Sequence, residues 1–327
     1  MEHPSLVFAL NGSQFFGDEV CLQLGLTRAA LEEREFEDKE HKVRAMESVR
    51  GKDAFVIHSL HGDGMQSGND KLCRLLFLIG ALRDDGAARV TAVVPYLAYA
   101  RKDRRTKPQD PVTTRYVAQL FEAVGTDAII SIDVHNLAAF ENAFRIPTVH
   151  LEAASLFADA LLNKLDAGNV AVVSPDAGGA KRAEGLRQIL AARMAQPVTM
   201  AFVEKYRSEG KISGDLLVGD VAGKDAVIID DLISTGGTLV RAAHACRKAG
   251  AKRVFACATH GIFAEGARTT LADEVLEEII VADTIPPFRM EAEAAKPRVT
   301  VVGCAPLFAK AIREMSGGAG CTAPAAM

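Results

Sequence analysis

Along the chain, short apolar runs exchange with longer stretches of helical spacing, the pattern of strands alternating with helices. Residues 6–10, 54–57, 89–95 and 128–135 predict strands in the first half, and 169–174, 197–203, 226–229, 252–259, 278–283 and 298–302 in the second. Most of these runs are continuous rather than alternating and rich in Val and Ile, which suits parallel strands covered on both faces. Helical spacing over 72–82, 112–124, 151–165, 181–192 and 239–248 fills the intervals, and 305–316 predicts a last helix. The strand-turn-helix order restarts near residue 150. The expectation is an α/β chain of two similar units, each a mainly parallel sheet flanked by helices. They span 1–150, joined by the helix 305–316, and 151–304. The Gly/Ala-rich tail 317–327 is expected to be disordered.

A length of 327 residues with 49% hydrophobic content is enough for two ordinary domains. The 38 Lys and Arg against 42 Asp and Glu leave a net charge of −4, which argues against a protein that coats nucleic acid. Basic clusters therefore have to serve small anions. No apolar run is long enough to span a membrane, and the start Met1-Glu-His-Pro lacks the basic and apolar regions of a signal peptide, so a cytoplasmic location without membrane partners is expected. The six cysteines are scattered with no C-x-x-C, and free thiols are expected.

The chemistry gathers after the run 226–229, which ends in Asp230 and Asp231 and continues Leu-Ile-Ser234-Thr235-Gly236-Gly237-Thr238. Glycines that let a backbone approach closely, hydroxyls, and the start of a helix make a phosphate site. The pattern is neither G-x-x-x-x-G-K-[ST] nor G-x-G-x-x-G. Two acids beside such a loop can accept hydrogen bonds from vicinal ribose hydroxyls or hold Mg2+ through water, so a ribose phosphate is indicated. An acidic turn capping a helix is the plainer alternative.

Five other places carry chemistry-bearing residues. Phe36 stands in the polar segment 34–42, either tucked against its own domain or a stacking platform for a base, with Asp38 and Glu40 as acceptors. Arg101, Lys102, Arg104, Arg105 and Lys107 follow the end of the run 89–95, where open α/β sheets collect ligands, and read as a polyphosphate site or a solvated basic loop. Asp133 and His135 stand two apart in an extended segment, which would give them one face beside a metal or phosphate. His58 and His61 lack accompanying carboxylates and are taken as loop residues. The segment 204–214, polar and glycine-bearing, is expected to be a mobile lid with cations at its base.

Taken together, Phe36-x-Asp38-x-Glu40, Tyr99-Ala-Arg101-Lys102-Asp103-Arg104-Arg105, Asp133-Val-His135, Ser174-Pro-Asp176-Ala-Gly-Gly179, Glu204-Lys205-Tyr-Arg207, the loop from Asp230 to Thr238, and Ala258-Thr-His260-Gly261 resemble the ribose-phosphate diphosphokinase family, also called phosphoribosyl diphosphate synthetases. The resemblance implies two phosphoribosyltransferase-type domains and transfer of the diphosphoryl group of Mg-ATP to O1 of ribose 5-phosphate, giving phosphoribosyl diphosphate and AMP. It implies Phe36, Asp38, Lys39 and Glu40 at the adenine, Arg101, Lys102 and Arg104 on ATP, and His135 and Asp176 on Mg2+. Lys205 and Arg207 would be catalytic, with Arg207 also at the sugar phosphate. Asp230, Asp231, Ser234, Thr235, Gly236, Gly237 and Thr238 would bind ribose 5-phosphate. It also implies a homo-oligomer in which a neighbouring copy lends the adenine loop, so that active sites are shared. Ser234, Lys39 and Lys102 depart from the family's usual Asp, Gly and Gln. A phosphoribosyltransferase would need one domain only, and a catalytically silent regulatory paralogue would not need Lys205, Arg207, His135, Asp176, Asp230 and Asp231 together.

Overall fold

Burial on both faces explains the strands: Asp53–Ile57, Ala128–Ile132, Val170–Ser174 and Glu278–Ala282 are buried along their whole length. The structure is a computed structural model that describes residues 4–208, 211–290 and 298–317. It divides into one unit of Met1–Leu151 with Cys304–Met327 and a second of Glu152–Gly303.

In the first unit, β1 (Ser5–Ala9) is followed by helix α1 (Gln14–Leu24), then by β2 (Leu31–Glu35) and β3 (His41–Ala45). Next come β4 (Asp53–Ile57), α2 (Gly68–Asp84), β5 (Arg89–Val93), α3 (Thr113–Ala123), β6 (Ala128–Ile132), α4 (Leu137–Ala143) and β7 (Thr148–Leu151). The sheet order is β1-β4-β5-β6-β7, all parallel. The C-terminal helix Ala305–Met315 packs on this unit, with Phe308 edge-on to Phe16 at 5.4 Å between ring centroids.

The second unit holds α5 (Ala154–Leu161), β8 (Val170–Ser174), α6 (Ala180–Met194), β9 (Val198–Ser208), β10 (Lys211–Val218) and β11 (Asp225–Ile233). It continues with α7 (Gly237–Lys248), β12 (Arg253–Gly261), α8 (Ala267–Leu271), β13 (Glu278–Ala282) and β14 (Val299–Val302). Its sheet runs β10-β9-β8-β11-β12-β13-β14, parallel except for β10 against β9.

The two units repeat a local device. In the first, Asp53 of β4 faces Arg89 of β5 and the two are ion-paired; in the second, Asp225 of β11 faces Arg253 of β12 at 2.5 Å. Six residues before each of these arginines another arginine, Arg83 or Arg247, closes the end of the preceding helix by donating to two carbonyls of the following turn. Both stretches read R-x-x-G-A-x-R.

Two expectations change. The polar segment around Phe36 lies on an antiparallel hairpin, β2 with β3, whose charged side chains form ion pairs while Leu31, Val43 and Ala45 pack against the core. In the segment 204–214, where a lid is expected, residues 204–208 and 211–214 run on β9 and β10, with a register shift between Ile212 and Gly214, and residues 209 and 210 lie outside the described residues. The extended segment ends early: β6 stops at Ile132 and Asp133 turns with φ 40. Among the described residues, no helix is long and apolar enough to cross a membrane. The tail 318–327 lies outside the described residues.

Candidate active site

In the second unit the site grows from the end of β11. Asp230 and Asp231 stand in the last half of the strand, which closes at Ile233; residues 234–236 turn, and α7 starts at Gly237 with its free N–H groups facing the turn. Gly236 has φ 82, and a Cβ there would lie 2.5 Å from Leu271 Cδ2, so this position accepts only glycine without strain. The Asp231 backbone N–H donates to Asp230 Oδ1 at 2.9 Å. Burial, and then the Asp231 carboxyl beside it, push the Asp230 acid up to about 7. Arg182 of α6 is the opposing charge, its Nη1 lying 3.5 Å from Asp230 Oδ1 and 3.7 Å from Asp231 Oδ1.

Beside β11 lies the turn after β8. Asp176 Oδ1 accepts the N–H groups of Gly178 at 2.9 Å and Gly179 at 3.2 Å, which fixes the carboxylate at the carboxyl end of the sheet. The backbone of Lys205 and Arg207 is on β9, paired with Asp215 and Ile212. Their side chains lie outside the described residues.

In the first unit Phe36 follows the end of β2 at the hairpin tip, 37% exposed, with the Arg34 guanidinium 5.0 Å from its ring centroid. The tip is closed by Phe36 N–H to Glu40 O at 2.9 Å and Lys39 N–H to Phe36 O at 3.0 Å. Asp38 Oδ1 accepts the Glu40 N–H. Lys39 has φ 74, a left-handed backbone that favours glycine and explains why lysine there is a departure.

The basic segment divides in use. Arg101 and Arg104 are exposed, whereas Lys102 is turned into its own loop, with Nζ 2.7 Å from Asp110 Oδ2. Thr106 and Lys107 N–H groups donate to the same oxygen. The Lys102 ammonium, the Thr106 hydroxyl and these amides hold the Asp110 carboxyl far below the usual range. Asp133 is buried and His135 exposed, so the shared face expected of them does not form. Asn136, next to His135, donates to Asp103 Oδ2 at 2.7 Å and caps α4, tying the end of β6 to the basic segment.

His58 and His61 lie in a loop, as expected, but not in solvent. Both are buried, with His58 Nδ1 3.0 Å from Ser13 Oγ and His61 Nε2 3.2 Å from the buried Lys71 ammonium, itself paired with Asp63 at 2.6 Å. Burial, and then the Lys71 charge, keep His58 neutral. Arg182 was missed by sequence reasoning; an arginine three residues after a glycine turn, in a chain with an acid pair awaiting a counter-charge, was the available signal.

Comparison with known proteins gives one consistent result. Residues 5–125 match the N-terminal domain of ribose phosphate pyrophosphokinase, and residues 211–321 match the phosphoribosyl synthetase-associated domain. A ribose-phosphate pyrophosphokinase of Pasteurella multocida is 38% identical over 86% of this chain and 86% of its own length. That of Agrobacterium fabrum is 37% identical over 94% of this chain and 96% of its own. A crystal structure of phosphoribosylpyrophosphate synthetase from Mycobacterium smegmatis superposes with a TM-score of 0.84 at 35% identity, covering 95% of this chain and 98% of the other. With both sheets, the acid pair before the glycine turn and full-length relatives in agreement, the chain belongs to the ribose-phosphate pyrophosphokinase family of enzymes.

Proposed function

We propose that the protein transfers the diphosphoryl group of Mg-ATP to O1 of ribose 5-phosphate, giving 5-phosphoribosyl 1-diphosphate and AMP. The observation that carries this reading is the pair Asp230–Asp231 set directly before a glycine turn at the N-terminus of α7. A phosphate fits the free amides of residues 234–238, and the two carboxylates reach the ribose hydroxyls next to it. Arg182 keeps the pair from carrying two uncompensated charges.

The exposed Arg101 and Arg104 hold the triphosphate, and Phe36 with Asp38 and Glu40 receives the adenine. Lys102, engaged by Asp110, orders that loop. O1 attacks the β-phosphorus; the new O1–P bond forms as the bridge to the α-phosphate breaks, AMP leaves with the bridging oxygen, and the hydroxyl proton passes to solvent. Such a transfer depends on alignment and on positive charge where negative charge develops, the role of Lys205 and Arg207. Mg2+ would suit Asp176, whose carboxylate is pre-oriented by two backbone N–H groups, and in the first unit the exposed His135 is the residue that the family resemblance gives to it. When bound, it neutralises the phosphate oxygens. A cytoplasmic homo-oligomer with shared active sites completes the reading.

The test is AMP release from Mg-ATP with and without ribose 5-phosphate. AMP should form only with the sugar phosphate, and Lys205→Ala should lower kcat by about 10²–10³. Nucleotide binding without AMP under any condition would instead indicate a silent regulatory paralogue.

A further inference from the structure

The hairpin that carries Phe36 lies outside the five-stranded sheet; Leu31, Val43 and Ala45 pack its base on the core, and side-chain ties hold the rest. Two carboxylates of β2 supply them. Glu33 accepts the Asn11 backbone N–H at 2.7 Å and lies 3.1 Å from His41 Nε2, which fixes the body of the hairpin. Glu35, bonded directly to Phe36, is ion-paired with Arg74 of α2.

Arg74 is well suited to hold a tip in place. Its side chain is 9% exposed, so solvent screens the pair weakly from the helix side. The helix beneath it is firm. Ser67 and Asp70 form a reciprocal capping box at its N-terminus, and Lys71, one turn before Arg74, is buried and paired to Asp63. The Arg74 hydrogen bond, and then its charge, hold the Glu35 carboxyl below its ordinary range, so the tie is intact at neutral pH. Beyond Glu35 the tip is closed on itself by the bonds between Phe36, Lys39 and Glu40, and it moves as one body with Glu35.

We propose that Arg74 is a positioning residue for the nucleotide site: through Glu35 it fixes the angle at which the hairpin presents Phe36, Asp38 and Glu40 to an adenine ring. This rests on the reading of that tip as the adenine-binding loop. Without Arg74 the Glu33 ties keep the hairpin folded, but its tip swings, and a displacement of about 1 Å is enough to weaken a stacked and hydrogen-bonded base.

The experiment measures KM for ATP and for ribose 5-phosphate, with kcat, in the assembled enzyme. Arg74→Met should raise KM for ATP about tenfold and leave KM for ribose 5-phosphate within about twofold. Glu35→Gln, at a half-exposed side chain that the fold tolerates, should do the same, and carries the comparison if Arg74→Met does not fold. Arg74→Glu and Glu35→Arg should each be impaired, and the double variant, which restores the pair with its charges exchanged, should recover ATP affinity. Equal changes in both KM values, or a charge exchange that recovers nothing while all variants fold, would overturn the proposal. Phe36→Ala separates the two levels: an unchanged KM for ATP there would overturn the adenine reading of the tip, and the proposal with it. A raised value beside a silent Arg74→Met would overturn the positioning role alone.

Discussion

Replacing Gly236 by alanine should unfold the second unit early, while the same change at Gly237 should not. Gly236 has φ 82, which costs an L-residue about 1–2 kcal/mol. Its new Cβ would also meet Leu271 at 2.5 Å from Cδ2 and 2.7 Å from Cγ. Leu271 is fully buried in the core with Leu239, Phe263 and Ala267, so it has little room to give. Overpacking of that kind costs about 1–3 kcal/mol. Together these amount to about 2–5 kcal/mol, or roughly 5–20 °C in Tm for a unit of this size. At Gly237 the nearest atom to an added Cβ is Thr235 Oγ1 at 4.0 Å and the residue opens α7, so alanine should be neutral or stabilise by up to about 1 kcal/mol. Thermal unfolding of both variants without ligand, followed by circular dichroism, reads the difference. A Gly236→Ala protein that melts with the wild type, or a Gly237→Ala protein that melts earlier than Gly236→Ala, would refute the reasoning. If Gly237→Ala keeps its stability but loses affinity for ribose 5-phosphate, the backbone there is where the phosphate approaches.

Two further outcomes follow from backbone and charge. Lys39→Gly relieves a left-handed lysine at φ 74, and the gain of about 1 kcal/mol roughly offsets glycine's added chain entropy, so stability should hold or rise; Lys42→Gly, in exposed β3, should lose about 1 kcal/mol in the same denaturant titration. Asp230, raised from 3.8 to about 7, binds its proton more tightly folded than unfolded, so ligand-free stability should fall as pH rises from about 4 to about 7. Asp230→Asn removes that loss and should raise Tm more at pH 8 than at pH 5; an equal gain at both would show that the acid is not perturbed.

The sequence by itself determined the strands and their class, because a strand covered on both faces must be a continuous apolar run, as in Ala226-Val-Ile-Ile and Ala128-Ile-Ile. It also marked the glycine turn behind Asp230 and Asp231, since a backbone that must approach a phosphate restricts which residues stand there. The repeat of R-x-x-G-A-x-R at 83–89 and 247–253 was legible too, and the fold gives both copies the same work. Only the tertiary structure decided the hairpin under Phe36. Of its strands, Leu-Glu-Glu-Arg-Glu shows no apolar alternation and His-Lys-Val-Arg-Ala only a short one through Val43 and Ala45, and the ties run to Asn11 and Arg74. The same holds for Lys102, which local charge marks as a phosphate ligand and Asp110 holds in its own loop. Asp133 turns where local pattern continues a strand, and Arg182 reaches the acid pair on β11 from helix α6. Apolar burial writes a period into the chain; an ion pair between residues dozens of positions apart writes none, and only the fold brings its two ends together.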